Sequence, residues 1–143
     1  MFETARYLGG KVRAVDRMDR AALAADGFGF NINLLVGGQI AGQSPEIHYV
    51  YPQGNSLKAN LEYPFLQIGE SKYGKPILDR GFTFDTRLSE AVKFGILSME
   101  ATMKSNVAVG PPLDVFAYEA DSFRVRLRTR LHDGDGYLSA IQE

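Results

Sequence analysis

The sequence predicts an α+β domain with helices packed on antiparallel sheets, and three observations carry that expectation. Apolar residues recur every three or four positions at the start of the chain, alternate every second position from Phe28, and return to helical spacing after Pro76. The strands come in runs joined by short Gly- and Pro-containing turns, which favours antiparallel pairing. Helices and strands are segregated, so a wound parallel sheet is disfavoured.

Each element follows from its pattern. Phe2, Ala5, Leu8, Val12 and Val15 form an amphipathic stripe whose middle the Gly9-Gly10 pair should weaken, and which resembles the tail of a longer element. Asp19 is expected to cap a second short helix through Leu23 and Ala25, ended by Gly27. Phe28, Phe30, Ile32, Leu34 and Val36 share one face of a long strand that stops at Gly37-Gly38. Strands over 46–51 and 57–61 come next, separated by turn residues, and 64–68 reads as one more short strand. A weak helix is expected over 76–82. A strong one runs over 87–103, with Leu88, Ala91, Val92, Ile96, Met99 and Met103 in one stripe and Asp85 or Thr86 as its cap. After a Gly-Pro-Pro loop, strands over 113–118 and 123–131 close the pattern, with an apolar-periodic start at Tyr137, Leu138 and Ile141.

The 143 residues, 45% hydrophobic, suit one domain with a sizeable core, read here as a single unit over 1–143. Sixteen basic against 17 acidic side chains argue against a nucleic-acid or polybasic membrane surface. No apolar run approaches the roughly 20 residues of a membrane span, and Glu3 and Arg6 interrupt any signal sequence, so a cytoplasmic protein is expected. The absence of cysteine and the presence of only His48 and His132 exclude thiolate chemistry and leave little for a metal site. No metal and no cofactor is expected. What chemistry remains must use hydroxyls, carboxylates or lysine.

Few constellations rise above ordinary structure. Gly69-Glu70-Ser71-Lys72-Tyr73-Gly74 gathers a hydroxyl, a carboxylate, a lysine and two glycines at a strand-to-helix junction, although its spacing is not that of a nucleophile elbow. Asp133-Gly134-Asp135-Gly136 fails as a calcium loop, because taking Gly136 as the turn glycine leaves Leu131 and Gln142 at the terminal ligand positions. Arg124, Arg126, Arg128 and Arg130 project from one strand face. At a net charge of -1 they read as a protected edge or a subunit contact. His48 reads as a structural histidine and His132 as a solvated one.

Longer words go further. Residues 31–39 (NINLLVGGQ), 51–55 (YPQGN), 67–80 (QIGESKYGKPILDR) and 98–106 (SMEATMKSN) with 109–114 (VGPPLD) resemble, in order and spacing, the bacterial proteasome-type proteases called Anbu, the ancestral beta subunit. The resemblance covers nearly the whole chain. It implies the N-terminal nucleophile hydrolase fold, an αββα sandwich, and hydrolysis of peptide or amide bonds by an N-terminal threonine whose own amine is the base. It also implies a peptide or protein substrate and a homo-oligomer.

Thr4 lies in a helical stripe behind Met1-Phe2-Glu3, where such a nucleophile cannot stand. The chain is therefore expected to be the C-terminal portion of a subunit, incomplete at both ends and inactive by itself. Only a supporting shell carries over: Gly69, Glu70, Ser71, Ser105 and Asn106. Glu70 occupies the position of the family's serine, with Ser71 one place later, while Ser105 and Ala108 stand where an Asp and a Ser are expected. Two competing expectations are a non-catalytic assembly module and a hydrolase using Ser71 with Lys72 or Lys75.

Overall fold

The computed structural model describes residues 1–142, with the backbone alone at 139, 141 and 142. The chain forms two compact units, Met1–Asn60 and Leu61–Glu143.

In the first unit, helix α1 (Phe2–Ala25) packs on an antiparallel sheet of order β1-β2-β3, formed by β1 (Leu34–Gly38), β2 (Glu46–Val50) and β3 (Ser56–Lys58). The expected second helix capped at Asp19 does not form: the chain stays helical through that residue. Gly27, at φ +77°, ends the helix as expected, with Phe28 N–H donating to the Leu23 carbonyl at 2.9 Å. The buried stripe is also narrower than its spacing implies. Ala5, Gly9 and Val12 are buried, whereas Phe2 and Val15 are exposed.

Gly9 does not break α1, because a close approach requires it. A Cβ there would collide with the Gly54 carbonyl oxygen in the β2–β3 turn. Gly54 takes φ +78°, and Arg13 Nη1 donates to its carbonyl at 2.9 Å. The glycine's intrinsic helix penalty is thus offset by backbone-to-backbone packing that no side chain would permit.

The long strand expected from Phe28 is shortened to β1. Its partner β2 ends at Val50, opposite Leu34, and the chain then turns at Tyr51, so residues 28–33 have no ladder to join among the described residues. Asn33 is still held, since Tyr49 Oη donates to its Oδ1 at 2.6 Å.

The second unit holds α2 (Lys75–Gly81), α3 (Leu88–Ser105), β4 (Leu113–Tyr118), β5 (Val125–Leu131) and α4 (Gly136–Gln142). β4 and β5 pair antiparallel from Leu113 opposite Leu131, with an irregularity at Ala117/Tyr118. Helix α3 packs against α2, α4 and β4, and Ile96, Leu113, Leu131 and Leu138 form the buried core. Val92 and Met103 pack on it as the stripe predicts, but Met99 is exposed. Tyr137 is also exposed, and the side chain of Ile141 lies outside the described ones.

Two further expectations are corrected. Residues 64–68 form no strand: Phe65 meets Phe82 edge to face at 5.9 Å, and Phe82 meets Phe94 at 6.5 Å, so ring packing holds the segment where a ladder was expected. Neither Asp85 nor Thr86 caps α3, whose cap is Arg87 without a side-chain bond. The Thr86 hydroxyl instead accepts from Thr83 N–H at 2.8 Å. Among the described residues, no helix is long and apolar enough to cross a membrane.

Candidate functional site

The residues expected as a supporting shell lie within the second unit, at the turn before α2 and at the C-terminal end of α3. Gly69 sits at φ +81°, the left-handed turn that glycine adopts without strain, and this ends the extended segment. Gln67 Nε2 donates to the Glu70 carbonyl at 3.2 Å, and Glu70 Oε1 accepts Lys72 N–H at 2.8 Å. The carboxylate thus closes its own turn. Its other oxygen, Oε2, accepts from Asn106 Nδ2 at 3.3 Å.

Asn106 stops α3 and shapes the loop after it. Its N–H still reaches the Thr102 carbonyl at 2.8 Å, while its Oδ1 accepts Ala108 N–H at 2.9 Å and its carbonyl accepts Val109 N–H at 3.0 Å. This is the local side-chain mimicry of a turn that asparagine favours after a helix. Of the five expected residues, then, Gly69, Glu70 and Asn106 form one connected arrangement. Ser71 and Ser105 are exposed, and their hydroxyls have no hydrogen-bond partner among the described residues.

The junction rests on a contact that the sequence reading missed. Gly74 is buried at the start of α2, and a Cβ there would collide with Ser98 and crowd Thr102 Oγ1 at 2.9 Å. Both residues are buried on α3, and Thr102 Oγ1 donates to the Ser98 carbonyl at 2.9 Å. The signal was present as two small hydroxyl residues four apart on α3 and a glycine before Lys75-Pro76, though it is a common pattern. Glu100, on the same helix, is also buried. Lys104 Nζ lies 2.7 Å from its Oε1, an ion pair without hydrogen-bond alignment.

The lysines offered for Ser71 are engaged elsewhere. Lys75 Nζ grips both oxygens of Asp79, at 2.7 and 2.6 Å, and Lys72 Nζ lies over the Tyr73 ring at 5.5 Å. Thr4 is an exposed residue inside α1. The Arg-rich strand is likewise occupied. Arg130 binds Asp114 through two bonds of 2.7 Å, Arg126 Nε donates to Glu119 at 2.5 Å, and Arg128 stacks over Phe116. The aromatic on that face comes from the paired strand, where the sequence of β5 alone offered none. Hydrogen bonding to Arg130 holds the Asp114 carboxyl below the usual carboxylate range.

His48 is buried and contacts Glu46 Oε2 at 3.0 Å, and Lys58 holds the other oxygen at 3.0 Å. The partner missing from a reading of neighbouring residues stands two positions away on the same strand face. These contacts, His48 first, depress the Glu46 pKa. Among the described residues, no three His, Asp or Glu side chains gather as a metal site would require.

Comparison with known proteins gives the family. A family model described as proteasome subunit matches residues 7–116. Anbu from Yersinia bercovieri is 44% identical with a TM-score of 0.90, over 99% of this chain and 58% of its own. Anbu from Pseudomonas aeruginosa, solved as a helical assembly, is 42% identical with a TM-score of 0.92 over 99% and 58% of the two chains. Anbu from Hyphomicrobium sp. strain MC1 is 42% identical with a TM-score of 0.88, over 99% and 56%. No curated protein matches. The chain thus spans a little over half the length of these solved relatives. Their shared fold is proteasome-like, α+β with antiparallel sheets, and the chain belongs to the proteasome subunit family.

Proposed function

We propose that these residues are the C-terminal portion of an Anbu-type, threonine-dependent peptidase subunit, which hydrolyses peptide or amide bonds within a homo-oligomer in the cytoplasm. The observation that carries this reading is the 44% identity to an Anbu protein over 99% of the chain. The nucleophile is supplied from outside residues 1–143. Thr4 cannot serve, since it is neither N-terminal nor at the start of a strand. The turn built by Gly69, Glu70 and Asn106 is the part of the supporting shell present here, and the Glu70 carboxylate is the group suited to hold an ammonium or hydroxyl donor in register.

The assembly role is the second reading, supported by the helical assembly of the Pseudomonas relative. The test is hydrolysis of fluorogenic peptides and amides by the purified 143-residue chain. No turnover is expected, and robust turnover that survives Thr4→Ala would defeat the assignment of the nucleophile.

A further inference from the structure

The first unit contains a cleft of about 400 Å³ whose chemistry the peptidase reading does not use. Arg13, Arg17 and Arg20, spaced four and three apart on α1, line it together with Asp16, Phe30 and Pro52. Two of the three guanidiniums are already held. Arg13 donates to the Gly54 carbonyl at 2.9 Å, and Arg20 pairs with Asp16 Oδ2. Arg17 is exposed and has neither a hydrogen bond nor an ion pair among the described residues. Three cationic groups against one carboxylate leave the cleft positive, and a guanidinium presents a planar fork matched to an oxyanion.

Two further features narrow the ligand. Three guanidiniums against the Asp16 carboxylate give the lining an excess of two positive charges, which a dianion matches better than a monoanion. A phosphate monoester carries up to two negative charges on three terminal oxygens near neutral pH, whereas a carboxylate carries one on two. Phe30 and Pro52 add an apolar wall beside the charges.

We propose that this cleft binds a phosphoryl group carried on a small apolar body, with the phosphate on Arg17 and the body against Phe30 and Pro52. Titration calorimetry of the full chain with phenyl phosphate, inorganic phosphate and benzoate tests it. Phenyl phosphate should saturate in the millimolar range or below, with inorganic phosphate and benzoate each about tenfold weaker. Arg17→Gln should weaken phenyl phosphate about tenfold or more, Arg17→Lys should recover part of that loss, and Arg124→Gln should change nothing. The proposal is overturned if neither phosphate saturates, if benzoate or inorganic phosphate matches phenyl phosphate, or if Arg17→Gln binds as the parent does.

Discussion

Asn106 donates to Glu70 at 3.3 Å across 36 residues of sequence, and this one bond ties the turn before α2 to the exit of α3. Asn106→Ala removes it together with the bond to Ala108 N–H, and should cost about 1–2 kcal/mol in urea unfolding. Asn106→Asp keeps an oxygen for Ala108 but sets a second carboxylate against Glu70. It should therefore be the less stable of the two variants at pH 7, which urea unfolding of the pair checks.

The adjacent glycines of α1 should respond with opposite signs. Gly9→Ala drives a methyl into the Gly54 carbonyl and should destabilise by about 1–3 kcal/mol. The nearest atom to a Cβ on Gly10 is Arg13 Nη2 at 3.9 Å, so Gly10→Ala should stabilise by up to about 1 kcal/mol through helix propensity. Paired denaturant melts that shift in the same direction would contradict the close approach.

Acid should weaken the fold through two named carboxylates. Asp114, held by Arg130, and Glu46, held by His48 and Lys58, both have pKa values depressed in the folded state. Each contributes stability that is fully present above its unfolded pKa and is lost as the pH falls through the folded one, in the window below about pH 4. Arg130→Gln should flatten the Asp114 share of that dependence while leaving the rest. Unfolding midpoints measured from pH 3 to 7 check both statements.

The β4–β5 pair exposes Phe116 and Val125, at 58% and 55%, with the exposed Phe123 just before β5. Such a surface favours self-association. Sedimentation velocity should show concentration-dependent oligomers of this chain, reduced in Val125→Glu, whereas a monodisperse monomer at all concentrations would count against the homo-oligomer.

Much of the fold was legible because it depends on local periodicity. The alternation over 46–51 and 113–118 and the stripe through Val92, Ile96 and Met103 correspond to β2, β4 and α3. What failed depended on distant partners. Gly9 looks like a helix breaker until the Gly54 turn arrives against it. Residues 28–33 alternate as a strand should, yet strand formation requires a ladder, and β2 ends at Val50. The site was legible in part for the same reason. Gly69 declares a left-handed turn and Asn106 a helix stop, but their linkage through Glu70 depends on how α2 and α3 pack.

The proposed function holds that the 143 residues carry the supporting turn of an N-terminal nucleophile hydrolase without its nucleophile. A peptide epoxyketone tests this most directly, because forming its ring adduct requires a hydroxyl and a free α-amine on one residue. Mass spectrometry of the chain after incubation should show the unmodified mass, with no accompanying peptide turnover. An adduct mapped to Thr4 exposed as a new N-terminus, lost together with turnover in Thr4→Ala, would contradict the account.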